Sequence, residues 1–69
     1  MVEIFKTSIE SREQSETVKQ DLLNLFPTAK INFDLDDCDR ILRIEDHEIF
    51  PQVVLNLLSH KGFQIEILI

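Results

Sequence analysis

The chain has 69 residues, of which 43% are hydrophobic and 29% are charged, and its formal net charge is −6. This length allows one domain with one small core, and the composition is too apolar for a disordered chain. Thirteen acidic residues against seven basic ones repel phosphates and anionic lipid headgroups, which argues against nucleic acid and membranes as partners.

The cysteine count and the N-terminal composition predict the compartment. Cys38 is the single cysteine, so the chain cannot form an internal disulfide, the usual support of small secreted domains. The first fourteen residues combine acidic side chains with a short apolar run, unlike a signal peptide, and no run approaches the roughly 20 apolar residues of a membrane span. We expect a cytoplasmic protein, with residues 1–69 forming a single domain that needs no cofactor.

The first third of the chain predicts a strand followed by a helix. Val2–Ile9 is rich in β-branched and aromatic residues, which favours a central strand buried on both faces. Ser11 and Gln14 have the spacing of a capping box, so a helix should begin there and end before Pro27. Its expected buried stripe, at i, i+4, i+7 and i+8, consists of Val18, Leu22, Leu25 and Phe26.

The stretch from Ala29 to Glu45 predicts two short strands joined by an acidic turn. From Lys30 to Leu35, apolar and polar residues alternate with a period of two, so one face should be buried and the other exposed. In the next strand, Arg40–Glu45, we assign Leu42 and Ile44 to the core.

The last third predicts a second helix and an edge strand. Pro51 suits the first helical turn, and Gly62 suits a left-handed cap after His60 and Lys61. The buried stripe of this helix should contain Val54, Leu57 and Leu58, with Val53 beside them. The final segment alternates Phe63, Ile65, Ile67 and Ile69 with Gln64, Glu66 and Leu68.

The element order strand, helix, strand, strand, helix, strand predicts an α+β fold, the ferredoxin-like βαββαβ two-layer sandwich. In this fold a four-stranded antiparallel sheet carries two helices on one face. The other face should then expose Ile41 and Leu68, with some of Val2 and Ile4, among Lys30, Asn32, Arg43 and Glu66. Scattered exposed aliphatic side chains are common in proteins, but such a mixed surface also fits a protein-binding face. The candidate contact residues are Ile4, Ile41, Arg43 and Leu68.

The spacing of the first loop and helix, together with the Gly62-Phe63 step, resembles the heavy-metal-associated domain family of copper chaperones and metal-transporting ATPases. That family places a methionine and a CxxC pair between the first strand and the first helix. In this sequence Ile9 replaces the methionine as a core plug, while Ser11 and Gln14 stand at the two cysteine positions. A hydroxyl and an amide are poor ligands for copper(I) or zinc, so the metal transfer that the resemblance implies is not expected here.

The turn between the second and third strands contains four acidic residues around Cys38: Asp34, Asp36, Asp37 and Asp39. With Glu45 they resemble a calcium loop superficially, but Cys38 occupies a ligand position and Asp39 stands where that loop needs glycine. Cys38 lacks the electropositive surroundings of a reactive nucleophile, although an intermolecular disulfide remains an alternative. The turn is therefore expected to be solvated, with weak cation association as the other possibility.

No catalytic constellation is visible in the sequence. His47 and His60 should lie at opposite ends of the second helical segment, about 20 Å apart at 1.5 Å per residue, so they cannot share a metal within one molecule. A chain with one glycine has no phosphate-binding loop. We expect a non-enzymatic interaction or regulatory module whose partner is another protein or a second copy. The alternative is metal handling at a non-standard site of Cys38 with Asp36 and Asp37, completed across a dimer by histidine.

Overall fold

In a computed structural model, which describes residues 1–36 and 38–68, the elements follow the predicted order. They are β1 (Val2–Thr7), α1 (Arg12–Leu25), β2 (Lys30–Asp34), β3 (Ile41–Glu45), α2 (Pro51–His60) and β4 (Ile65–Ile67). The strands form one antiparallel sheet in the order β2-β3-β1-β4. The predicted ferredoxin-like α+β sandwich is confirmed, while the predictions made for Asp37 and Ile69 fall outside the described residues.

The hydrophobic core lies between one face of the sheet and the two helices. Leu42 and Ile44 are fully buried, as their position in the alternating pattern predicts. The other buried apolar residues of the described chain are Phe5, Ile9, Val18, Leu22, Phe26, Ile31, Ile49, Val54 and Leu58. Ile9 lies between β1 and α1, and Ile49 lies between β3 and α2. Ile9 was expected as a core plug, whereas no periodic pattern predicted the burial of Ile49.

Helix α1 begins and ends where its capping signals predict, but one residue of its stripe is misassigned. Val18 and Leu22 are buried and Phe26 is the C-cap, whereas Leu25 is 49% exposed. Val18, Leu22 and Phe26 follow one another at i+4 steps, and each step turns the buried stripe by about 40° in the same direction. Leu25 follows Leu22 by three residues, a step that turns in the opposite direction around the helix axis. Its side chain therefore points away from the core.

Helix α2 begins at Pro51, with Phe50 as its N-cap, and His60 lies in its last turn. His47 was expected at the helix start but lies in the preceding loop, since Ile49 turns inward before the helix begins. Val54 and Leu58 are fully buried, as predicted, whereas Leu57 packs against the core but is only half-buried. Val53, beside them, is 37% exposed. Gly62 adopts the predicted left-handed conformation, with φ of 89°.

Strand β1 is central, as predicted, but it is buried on one face only and ends at Thr7 rather than Ile9. Phe5 and Thr7 point towards the helices and are buried, while Val2 and Lys6 on the other face are exposed. Burial on both faces requires a second covering layer, and both helices pack on the same side. Among the described residues, neither helix is long and apolar enough to cross a membrane.

Candidate interaction surface

The face of the sheet opposite the helices is called the open face here. The strand registers assign eleven described residues to it: Val2, Ile4 and Lys6 on β1; Lys30, Asn32 and Asp34 on β2; Ile41, Arg43 and Glu45 on β3; and Glu66 and Leu68 at β4. Residues directly opposite one another on neighbouring antiparallel strands have Cβ atoms about 5 Å apart, so they interact as rows across the strands.

One such row runs through the middle of the open face. Arg43 pairs with Asn32 on one side and with Ile4 on the other. The amide of Leu68 donates a hydrogen bond of 2.9 Å to the carbonyl of Ile4, which places Leu68 beside Ile4. The register therefore brings three of the four predicted contact residues into one line. The fourth, Ile41, pairs with Lys6 in the adjacent row.

The apolar part of the open face is small and partly exposed. Leu68 is 45% exposed and Val2 is 38% exposed, while Ile4 and Ile41 are half-buried. Ile4 lies between Leu68 and the long aliphatic stem of Arg43, and such stems cover apolar neighbours while the charged head stays in water. The four aliphatic side chains thus form a strip that charged residues border.

Charges on the open face are balanced, unlike those of the whole chain. Three basic residues (Lys6, Lys30, Arg43) meet three acidic ones (Asp34, Glu45, Glu66), whereas the chain carries a net charge of −6. Arg43 and Glu45 form an ion pair of 3.9 Å between side chains that are each about half exposed. Exposed ion pairs contribute little to stability, so the Arg43 guanidinium can exchange this partner at low cost.

Ser11 and Gln14 form the N-terminal cap of α1. These are the two residues that the sequence comparison placed at the cysteine positions of the heavy-metal-associated domains. The Gln14 amide donates to the Ser11 hydroxyl at 3.1 Å, and the Gln14 side-chain oxygen accepts from the Ser11 amide at 3.2 Å. The same oxygen accepts a hydrogen bond of 2.9 Å from the Glu10 amide. The predicted capping box is confirmed, and both side chains serve to satisfy the backbone amides at the helix start.

The acidic turn does not assemble a metal site in the part of the chain that the structure describes. No group of three or more histidine, cysteine or acidic side chains is placed to hold an ion among residues 1–36 and 38–68. Cys38 and Asp36 are exposed, and Asp37 is outside the described residues. Asp39 forms an ion pair of 3.6 Å with Lys6.

A hydrogen-bonded junction that sequence reasoning missed anchors this turn to β1. The Thr7 hydroxyl donates to the carbonyl of Arg40 at 2.7 Å and accepts from the Ile9 amide at 3.3 Å. The Arg40 guanidinium donates to the Ile9 carbonyl at 3.3 Å. Arg40 itself has a positive φ of 49°, an unusual conformation for a residue with a side chain. These residues are about thirty positions apart, so no local pattern identified the contact.

A second hydrogen-bonded junction joins the loop after β3 to the loop before β2. The Asp46 carboxylate accepts hydrogen bonds from the His47 amide at 2.8 Å and from the Thr28 hydroxyl at 2.9 Å. Hydrogen bonds to the charged form favour it, so the pKa of Asp46 lies below its ordinary value, chiefly through the His47 amide and then through Thr28. His47 therefore acts through its backbone in this loop, rather than as a residue at the start of α2.

No protein-family model matches the chain, and no curated protein matches it. The structure establishes the ferredoxin-like βαββαβ topology and no specific family.

Proposed function

We propose that the chain is a non-enzymatic, cytoplasmic interaction module that binds a protein partner on the open face. Ile4, Ile41, Arg43 and Leu68 are the proposed contact residues. The observation that supports this proposal is the strip of partly exposed aliphatic side chains on a sheet face that neither helix covers. A partner that buries this strip removes apolar surface from water, at about 25 cal/mol per Å².

The position of Arg43 supports a protein partner in particular. Arginine is enriched at protein interfaces because its planar guanidinium forms several hydrogen bonds while its stem packs on apolar surface. Arg43 lies between Asn32 and Ile4. Its partner Glu45 is 3.9 Å away and half exposed, so a carboxylate on a partner can replace it.

The balanced charge of the open face also favours a protein partner. A protein with a net charge of −6 repels an acidic partner over most of its surface, but three basic residues on the open face offset the three acidic ones there. We infer a partner surface with a central apolar contact, an acidic group opposite Arg43 and both signs of charge around the rim.

The proposal also treats the chain as a distant relative of the heavy-metal-associated domains whose thiolate positions have become a helix cap. The hydrogen bonds of Ser11 and Gln14 support this interpretation, because both side chains are engaged with backbone amides. A scaffold of this family without its metal ligands keeps its uncovered sheet face, which is then the surface available for function.

The proposal is tested by affinity capture from a lysate of the source cells, with quantitative mass spectrometry of the captured proteins. We expect Ile41→Asp to abolish the capture of proteins that the wild-type chain enriches, since it places a charge inside the apolar strip. Val53→Asp is the matched control, because it introduces the same charge at an exposed aliphatic residue on the helical layer. Equal capture by wild type and a folded Ile41→Asp variant contradicts the proposal, whereas loss on Cys38→Ser would support the metal-handling alternative.

A further inference from the structure

We propose that two copies of this chain pair through the β2 edge, so that their sheets join into one eight-stranded antiparallel sheet. Strand β2 is an edge strand, with β3 on one side and no strand of residues 1–36 and 38–68 on the other. Its five residues contain neither proline nor a bulge, two of the devices that protect sheet edges from pairing. The inference does not depend on the proposed function, because Ile4, Ile41, Arg43 and Leu68 are not on β2.

The sequence of β2 is complementary to itself when the strand is reversed. In an antiparallel pair centred on Asn32, Lys30 of one copy lies opposite Asp34 of the other, and this ion pair occurs twice. Asn32 meets Asn32, and side-chain amides can donate and accept at the same time. Ile31 meets Phe33 on the helix side of the sheet. All five residues of the strand are thus matched in one register.

The side chains that this register requires are free to pair. Lys30, Asn32 and Asp34 are exposed on the open face. Neither Lys30 nor Asp34 forms an ion pair with any residue within 1–36 and 38–68. Opposite charges directly across a strand pair are favourable, whereas like charges are unfavourable. A register shifted by two residues, centred on Ile31, would place Lys30 opposite Asn32 and lose both ion pairs. The charges therefore favour the register centred on Asn32.

The helix side of the edge is also accessible. A groove of about 280 Å³ separates β2 from α1, with Ser15, Glu16 and Lys19 on the helix wall and Ile31 and Phe33 on the strand wall. Phe33 is half-buried, and the pairing would place Ile31 of the second copy beside it. Because both copies keep their helices on the same side, the two grooves meet at the twofold axis and the two open faces become continuous.

The other sheet edge is a poor candidate for the same contact. Strand β4 has three described residues, and reversal about its centre sets Glu66 opposite Glu66. Like charges directly opposite each other destabilise a strand pair. The two edges therefore differ in charge pattern, and the complementary one is β2.

The first test is sedimentation analysis of the purified, reduced chain over a concentration series. We expect a monomer–dimer equilibrium that Asp34→Lys and Lys30→Asp each weaken by roughly tenfold, since each turns two attractive pairs into two repulsive ones. These variants shift the net charge from −6 in opposite directions, to −4 and −8, because each substitution changes it by two. The double swap, Lys30→Asp with Asp34→Lys, keeps −6 and should restore the dimer.

A second test, disulfide crosslinking, determines which residues of the two β2 strands lie opposite each other. In a Cys38→Ser background, Asn32→Cys should form an intermolecular disulfide on mild oxidation, because opposite residues have Cα atoms about 4.5–5.5 Å apart, within the disulfide range. Lys30→Cys should not, because its two copies would be about 13 Å apart at about 3.3 Å per residue.

A chain that is monomeric up to millimolar concentration, or a dimer that Asp34→Lys leaves intact, overturns the inference. A dimer that Ile41→Asp alone disrupts overturns it too, and places self-association on the open face instead.

Discussion

At the scale of single residues, the buried Thr7 connects three parts of the fold through its side chain. It is 8% exposed, and its hydroxyl connects the end of β1 to both the Ile9 connection and the acidic turn. The carbonyl that receives its hydrogen bond belongs to Arg40, whose left-handed backbone costs about 1–2 kcal/mol in a residue with a side chain. The bonds around Thr7 offset that cost and hold the turn against the sheet.

Replacing Thr7 with valine keeps the shape of the side chain and removes its hydroxyl. We expect the free energy of unfolding to fall by about 1–3 kcal/mol, because the buried Ile9 amide loses its acceptor. Urea denaturation followed by circular dichroism measures the change. Thr7→Ser is the control, since it keeps the hydroxyl and loses only a methyl group, at about 0.8 kcal/mol. A Thr7→Val variant as stable as wild type would contradict this role.

At the scale of elements, helix α1 shows how a local signal determines structure. The capping box at Ser11 and Gln14 satisfies amides that no helical carbonyl reaches, and it was predictable because it lies within four consecutive residues. The same locality applies to Pro51 at the start of α2 and to Gly62 after its end. These three signals account for the correctly predicted start of both helices and the end of α2, while alternation predicted the strands.

Removing the cap should weaken α1 without altering the fold. We expect Ser11→Ala to lower the free energy of unfolding by about 0.5–2 kcal/mol, because the Gln14 amide is left without its acceptor. Ser11→Thr retains a hydroxyl at the same position and should lose much less. Thermal unfolding of the two variants beside wild type measures the difference. Equal loss in both would show that packing, rather than the cap, determines the helix start.

Expectations that required non-local information were less successful. Burial of Ile49, exposure of Leu25 and the position of His47 all depend on how α1 and α2 rotate and begin against the sheet. Alternation within each strand correctly predicted that Leu42 and Ile44 face the core. It could not predict that Ile4, Arg43 and Leu68 share a row, since a period of two contains no information on the register between strands.

At the scale of the whole molecule, the two-layer architecture leaves one sheet face uncovered, and the β2 edge, like the β4 edge, has no neighbouring strand among the described residues. Small domains bury a limited fraction of their surface, so association through either surface would add stability that a chain of 69 residues can use. The open face presents an apolar strip with balanced charge, while the β2 edge presents a self-complementary strand. The two surfaces are compatible, because edge pairing leaves both open faces exposed on the same side.

The most direct measurement is site-specific photo-crosslinking in cells, with a benzophenone side chain introduced at Lys6 or at Gln20. Both residues are exposed; Lys6 lies on the open face beside Ile41, and Gln20 lies on α1. Neither is one of the four proposed contact residues, so Ile4, Ile41, Arg43 and Leu68 all stay in place. The account predicts a discrete protein adduct from Lys6 that Ile41→Asp abolishes, and no such adduct from Gln20. Adducts from Gln20 alone, or a Lys6 adduct that persists in a folded Ile41→Asp variant, would contradict it.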